Sequence, residues 1–354
     1  CMGGDNAPRE VVRGAVAAAA DFSVDLTLVG DRAAIIACAA LDRLDLSGFE
    51  IVDAPQTVTM SDDPLTVIKN KSESSMATAL RMLSRGEGDA LVSTGNTGAL
   101  FTGATLIVRK IRGIKRPAIA GILPFANPVL LLDAGANINV NESYLSQFAL
   151  MGSIYYSELF GVKRPRVGLI NNGSEDCKGT EVYVKTNELL RASHEVNFIG
   201  NVEADRIPEN VADVVVADGF TGNILLKSYE GMGRFAVSTL KELFSADTVT
   251  KVSGLLVKKK LSALRRRFDS GEYGGAPLLG IAGAVIKAHG SSDARAVKNA
   301  VGQAVSYASS HTIYNIAKRL GSIESDENPV FTSPIPLYRD RNGKAVSGLS
   351  ETGN

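Results

Sequence analysis

The sequence predicts an α/β fold: a mostly parallel, Rossmann-like sheet flanked by helices. Three observations lead there. Short apolar runs such as Leu130–Leu132 and Val214–Ala217 are continuous rather than alternating, the mark of strands buried on both faces. They alternate with longer stretches of helical period, as in repeated strand–helix units. Several strands also end in a glycine turn that opens straight into the next helix.

In chain order, Val24–Val29 reads as a strand stopping at Gly30, with a helix from Asp31. Phe49–Val52 is a strand, Ser72–Arg85 a helix and Ala90–Ser93 a strand, followed by the turn Thr94–Gly98 and an apolar-periodic helix. Leu130–Leu132, Arg166–Ile170, Val196–Ile199 and Val214–Ala217 are further strands, and Glu142–Phe160 and Lys178–Ala192 are helices between them. Right-handed crossovers place every turn after a strand at one edge of a parallel sheet. Open α/β sheets bind ligands at that edge.

The turns resemble one another. "DALVSTGNTGAL" from Asp89 and "DVVVADGFTGNI" from Asp213 match in frame, pairing Gly95 with Gly219, Thr97 with Thr221 and Gly98 with Gly222. Such an echo is what an internal duplication leaves. "LLLDAGAN" brings Asp133, Gly135 and Asn137, and "VGLINNGSEDCKG" brings Asn171, Gly173, Glu175, Lys178 and Gly179. Glycine admits a ligand close to the backbone, and helix N-termini aim free N–H groups at anions.

Composition narrows the function. The chain has 354 residues, 38 basic and 38 acidic, no Trp and 6% aromatic residues, so neither a global field nor an aromatic platform favours nucleic acid. Cys1, Cys38 and Cys177 are far apart, without C-x-x-C, which suits a reducing cytosol. No apolar run is long enough to span a bilayer, and no signal peptide is visible. His194, His289 and His311 lack metal spacing, and there is no G-x-S-x-G elbow. Neither a metal nor a cofactor is expected. Cys177 beside Lys178 suits a small apolar filler better than an acyl-cysteine nucleophile.

One segment stands apart. Thr250–Phe268, "TKVSGLLVKKKLSALRRRF", carries Lys251, Lys258, Lys259, Lys260, Arg265, Arg266 and Arg267 and no acid. As a helix it aligns Val257, Leu261, Leu264 and Phe268 on one narrow stripe. An anionic bilayer relieves such charge by about 1 kcal/mol per basic residue, and an acidic carrier protein relieves it too. A solvated helix on its own core is the competing reading; the membrane is preferred, because the apolar stripe is bulky and a carrier would need only charge.

"MGGDNAP", "VSTGNTGAL", "LLDAGAN", "NNGSEDCKG", "FIGNVEA", "VADGFTGNILLKSYEG", "GGAPLLGIAG" and "AHGSS" occur in this order between Met2 and Leu320. In them the chain resembles the bacterial phosphate acyltransferase family, PlsX. The resemblance implies a fold like the phosphotransacetylases and isocitrate-dehydrogenase-like enzymes. It implies synthesis of acyl phosphate from fatty acyl–acyl carrier protein and inorganic phosphate, feeding phospholipid synthesis. It also implies a homodimer in the cytoplasm, peripheral at the inner face of the cell membrane, serving a membrane acyltransferase. Residues 1–320 would form one domain with a helical protrusion at about 240–270, and 321–354 a mobile tail. The chain departs from the family in three places. Members begin with a strand ending Asp-Ala ahead of Met-Gly-Gly, and here Cys1 stands instead, so truncation is expected. Ser174 replaces an acid, and Cys177 an apolar residue.

Phosphate is already nucleophilic, so that reaction needs positioning, an oxyanion site and charge or a proton for the leaving thiolate. The residues expected to hold phosphate are Asn96, Thr97 and Gly98 with Lys178. Asn137 and Asn223 are the expected oxyanion donors, oriented by Asp133 and Asp218, with Lys227 or His289 serving the leaving group. Two rival readings are a soluble phosphotransacylase for short-chain acyl-CoA and a non-catalytic membrane scaffold. An isocitrate-type dehydrogenase is disfavoured, because no nucleotide fingerprint occurs.

Overall fold

The computed structural model describes residues 1–247, 250, 253, 254, 257, 270–272 and 274–321. Of the basic segment, Lys258, Lys259, Lys260, Leu261, Leu264, Arg265, Arg266, Arg267 and Phe268 lie outside the described residues, as does the expected tail beyond Gly321. Val257 is helical and half-buried.

Side-chain caps set several of the helix starts. The N-terminal helix α1 (Arg9–Phe22) leads into β1 (Thr27–Gly30), and Asp31 then caps α2 (Arg32–Asp42) by accepting from Ala34 N at 2.9 Å. After β2 (Glu50–Asp53), Ser74 caps α3 (Ser75–Ser84), which trims the expected helix at both ends. β3 (Ala90–Ser93) and α4 (Thr97–Gly103) follow as expected, joined by the turn at Gly95. The hairpin β4 (Ala118–Leu123) and β5 (Val129–Leu132) precedes α5 (Glu142–Phe160), which Asn141 caps and Gly161, at φ 71°, ends. Then come β6 (Arg166–Asn171), α6 (Glu181–Ala192), β7 (Asn197–Glu203), β8 (Val214–Val216) and the long α7 (Gly219–Leu243). β9 (Gly275–Leu279), β10 (Ala284–Ala288), α8 (Ala294–Ser309) and α9 (Thr312–Arg319) complete the described elements.

β1 and β2 form a parallel pair, and the other eight strands form one sheet in the order β3-β10-β9-β4-β5-β8-β6-β7. This sheet corrects one expectation. β10 runs with β3, and β5, β8, β6 and β7 run with one another, but the pairs β10–β9, β9–β4 and β4–β5 are antiparallel. An odd number of reversals therefore separates the two parallel blocks. The turns after β3 and β10 lie at one edge of the sheet, and those after β5, β6 and β8 lie at the other. The crossover rule holds within a block of parallel strands and carries nothing across antiparallel neighbours. The two echoed turns thus face opposite ways.

Alternate residues divide the core. Leu130, Leu132, Val214, Val216 and Ile286 face Phe148, Tyr155 and Tyr307 of α5 and α8. Leu131, Val215 and Val285 face Leu80 of α3 and Leu100 of α4, with Leu226 and Tyr229 of α7 packed on them. Each fully buried side chain of this kind contributes about 1.5–3 kcal/mol. α1 packs on α8, where Gly302 lies against the ring of Phe22.

Candidate active site

At the end of β5 the Asp133 carboxylate is fully buried. Its Oδ1 accepts from Ile119 N (3.0 Å), Gly135 N (3.1 Å) and Ala136 N (3.1 Å), and its Oδ2 from Asn137 N (2.7 Å) and Asn137 Nδ2 (2.8 Å). Burial raises the carboxyl's pKa, and these donors oppose the rise. Asn137 Nδ2 also donates to Pro117 O at 2.8 Å, so neither amide hydrogen is left for an oxyanion. Asp133 and Asn137 hold the loop rather than line it.

One strand over, Asp218 caps α7. Oδ1 accepts from Phe220 N and Thr221 N, both at 2.9 Å, and Oδ2 accepts from Tyr183 OH at 2.6 Å and Thr221 Oγ1 at 2.7 Å. Burial, with the Asp218 carboxylate beside it, pushes the Tyr183 phenol's pKa upward. Gly219 N donates to Asn137 O at 2.7 Å, and a Cβ on Gly222 would overlap the Asp133 carbonyl oxygen. The start of α7 therefore rests backbone-to-backbone on the Asp133–Asn137 loop. Asn223, exposed beside Gly135, has no hydrogen-bond partner for its amide among the described residues.

Lys178 lies in the exposed loop after β6, its ammonium 3.8 Å from Glu175. That loop and the Asn96–Gly98 turn lie at opposite edges of the sheet, so Lys178 does not join those three residues.

Asn96 caps α4 through Oδ1, which accepts from Ala99 N at 3.0 Å. Its Nδ2 lies 3.1 Å from the carbonyls of Thr59, Met60 and Asp62, so it clamps that loop over the helix start. Gly98 packs under Pro64, where a Cβ would stand 2.7 Å from Cγ. Among the described residues the N–H groups of Thr97 and Gly98 have no hydrogen-bond partner. Behind the turn, Thr94 Oγ1 donates to Gly3 O, and a Cβ on Gly3 would sit 2.6 Å from the Gly95 Cα. Asp5 N donates to Gly290 O at 2.8 Å, which ties the same N-terminal loop to the turn after β10.

That turn carries His289. Ser291 N donates to its Nδ1 at 3.2 Å and Ser291 Oγ lies 2.8 Å from the same atom, so the neutral ring carries its proton on Nε2. Burial and then the charges of Lys227 and Lys287 lower its pKa, which favours that neutral form. Lys227 projects from α7 with its ammonium 2.8 Å from Glu230. Asn223, Lys227 and Glu230, at i, i+4 and i+7, share one face of α7. On this face Lys227 reaches toward His289 of the β10 turn, while Asn223, one turn nearer the start of α7, borders the β5 loop that Asp133, Asn137 and Asp218 hold.

A family model described as "Fatty acid synthesis protein" matches residues 1–314. The chain belongs to that family. It is 41% identical over 327 residues to the phosphate acyltransferase of Alkaliphilus oremlandii, covering 92% of this chain and 97% of that protein. It is 43% identical over 321 residues to the phosphate acyltransferase of Clostridium acetobutylicum, covering 90% and 97%. Among solved structures it is similar to a phosphotransacetylase from Streptococcus pyogenes, with a TM-score of 0.56 and 14% identity over 89% of this chain and 92% of that one. That last likeness is one of fold, and it agrees with the α/β architecture expected from the sequence.

Sequence reasoning passed over Asp5, Tyr183 and Lys287. Lys287 carries a legible signal, as a lone charge at the end of the buried run "GAVIKA". Tyr183 carries none, because its partner Asp218 is 35 residues away. Among the described residues no helix is long and apolar enough to cross a membrane.

Proposed function

We propose that this chain is a phosphate acyltransferase that moves a fatty acyl group from the thioester of acyl carrier protein onto inorganic phosphate, giving acyl phosphate and the free carrier thiol. That it is an acyltransferase follows from its family. The observation that carries the residue-level reading is the exposed face of α7, which sets a free amide, Asn223, one turn from a cation, Lys227.

Phosphate sits on the N–H groups of Thr97 and Gly98, with Asn96 as the clamp that keeps them aimed. Its oxygen attacks the thioester carbon, and Asn223 donates to the oxyanion of the tetrahedral intermediate. Collapse expels the thiolate, which the Lys227 ammonium and a hydrogen bond from Nε2 of the neutral His289 stabilise, and which takes up the proton that hydrogen phosphate gives up on acylation. Asp133, Asn137 and Asp218 position these groups by holding the loop and helix on which they stand. Lys178, exposed at the other edge, suits contact with the acidic carrier.

The segment from Val257 to Phe268 docks on an anionic membrane, so that the amphiphilic product passes to a membrane acyltransferase without crossing water. On this reading the protein works in the cytoplasm at the inner face of the membrane, and the family resemblance supports a homodimer.

The test is phosphate-dependent release of free thiol from palmitoyl–acyl carrier protein, beside palmitoyl-CoA and acetyl-CoA. Release that requires phosphate and favours the carrier is expected. Preference for acetyl-CoA would make it a short-chain enzyme, and no release with any donor would sink the reading.

A further inference from the structure

Lys287 is a charged residue in a place built for apolar ones. It is the fourth residue of β10, whose other residues are all buried, and it stands level with Ser93 of the parallel neighbour β3. Alternation along β10 puts it on the same face as Val285, the face covered by α4 and α7. Its ammonium donates to the carbonyl of its own neighbour, Ala288, and no carboxylate lies within ion-pair distance among the described residues. A half-buried ammonium that donates to a single carbonyl keeps two donors unused.

The groups facing Lys287 come from three elements. Lys227 approaches from α7 and Asp5 from the N-terminal loop, while His289 follows in its own turn, with Glu230 of α7 acting on that ring. Glu230 is already paired with Lys227 and lies 4.0 Å from Arg234, and Asp5 is held at the Gly290 side of the turn. The two lysines therefore approach one another without a shared counter-ion. Like charges gathered in a half-buried place are costly unless an anion joins them.

We propose that Lys287 binds the acceptor phosphate directly, its ammonium and that of Lys227 closing on the anion from the sheet side and the helix side. This rests on the acyl-transfer reading only for the identity of the anion as substrate; the site itself takes a tetrahedral dianion whether or not an acyl donor is used. Burial and the Lys227 charge hold the Lys287 ammonium at a pKa of about 8. A bound dianion raises that value, so binding takes up protons above pH 8.

The probe is sulfate, a tetrahedral dianion that does not titrate in this range, followed by calorimetry on the whole protein between pH 6.5 and 9.5. Wild type is expected to bind sulfate more weakly as pH rises past 8. Lys287→Met should lose about 10- to 100-fold in affinity. Lys287→Arg should bind, with a flat pH profile, because guanidinium stays charged. In turnover, Lys287→Met should raise the KM for phosphate and leave the KM for the acyl donor unchanged.

Circular dichroism and Lys287→Arg guard against a merely misfolded variant. Sulfate affinity unchanged within about twofold in Lys287→Met would overturn the proposal even if thiol release proceeds. Sulfate binding lost in Lys287→Met, with no thiol release from wild type, would instead keep the anion site and reject acyl transfer.

Discussion

Asn223 and Lys227 stand one helical turn apart on the exposed face of α7, yet they answer to opposite edges of the sheet. Asn223 borders Gly135 of the β5 loop, and Lys227 is close enough to the β10 turn for its charge to lower the pKa of His289 and Lys287. α7 can do this because it starts at the end of β8 and crosses the sheet, laying Leu226 on Gly121 of β4.

The two residues should therefore fail differently. Asn223→Ala is expected to lower kcat about 100-fold, the usual loss for one oxyanion donor, with little change in the KM for phosphate. Lys227→Met should raise that KM. Steady-state kinetics with phosphate varied separates them, and equal effects on both constants would remove the division of roles. Neither side chain is buried, so melting temperatures should stay near wild type.

Gly222→Ala should be far more damaging than its size implies. The added methyl overlaps the Asp133 carbonyl oxygen, which is backbone and cannot rotate away. α7 must lift from the loop, and a loss of about 3 kcal/mol or more is expected from overpacking of this kind. Urea unfolding measures it, and a variant of wild-type stability would show that the contact is loose.

Asp133→Asn tests the frame. An amide keeps one acceptor oxygen and turns an NH2 toward donors of the Asp133–Asn137 loop. The expected loss is about 2–4 kcal/mol, from buried donors left unpaired. Its readout is the urea midpoint together with faster amide exchange at Ala136 and Asn137.

Lys287 should cost stability while it serves binding. Its ammonium titrates at about 8 in the fold against an ordinary 10.5, so between these values the unfolded chain holds more protons and wild-type stability rises with pH. Below pH 8 the full cost is present. Lys287→Met should thus be more stable than wild type at pH 7, and the gap should close as pH approaches 10.5. Urea midpoints at pH 7, 9 and 10.5 follow it, and a pH-independent gap would refute the shift.

Membrane docking is tested by replacing Val257, Leu261 and Leu264 with Glu. Flotation with anionic liposomes should be abolished while thiol release in solution survives. Persistent flotation would rule out this stripe as the docking face.

Much of this was legible in the sequence because local chemistry sets it. Continuous apolar runs such as Val214–Ala217 marked buried strands, and α5 matches Glu142–Phe160 because Asn141 and Gly161 bound it in sequence as in space. The direction of the strands was not legible. β4 and β9 carry the reversals, and a run such as "AIAGIL" looks the same whether its neighbour runs with it or against it. The Lys178 assignment failed to join its partners for this reason. Asn96, Asn137 and Asp133 were read as ligand-binding or ligand-orienting residues, but whether a buried amide serves a ligand or a loop depends on partners as distant as Thr59 and Pro117.

The echoed turns differ at two aligned positions that decide their use. Asp218 folds back on the two residues after Gly219 and starts its helix at once; Thr94, in the matching place, reaches to Gly3 instead and leaves the start of α4 to Asn96, two residues later. One copy of the phrase was thereby sealed and became masonry, while the other kept an open doorway. If the two descend from one ancestral half, two changes within the turn, a hydroxyl at Thr94 against the carboxylate of Asp218 and an amide at Asn96 against the ring of Phe220, separate the two uses.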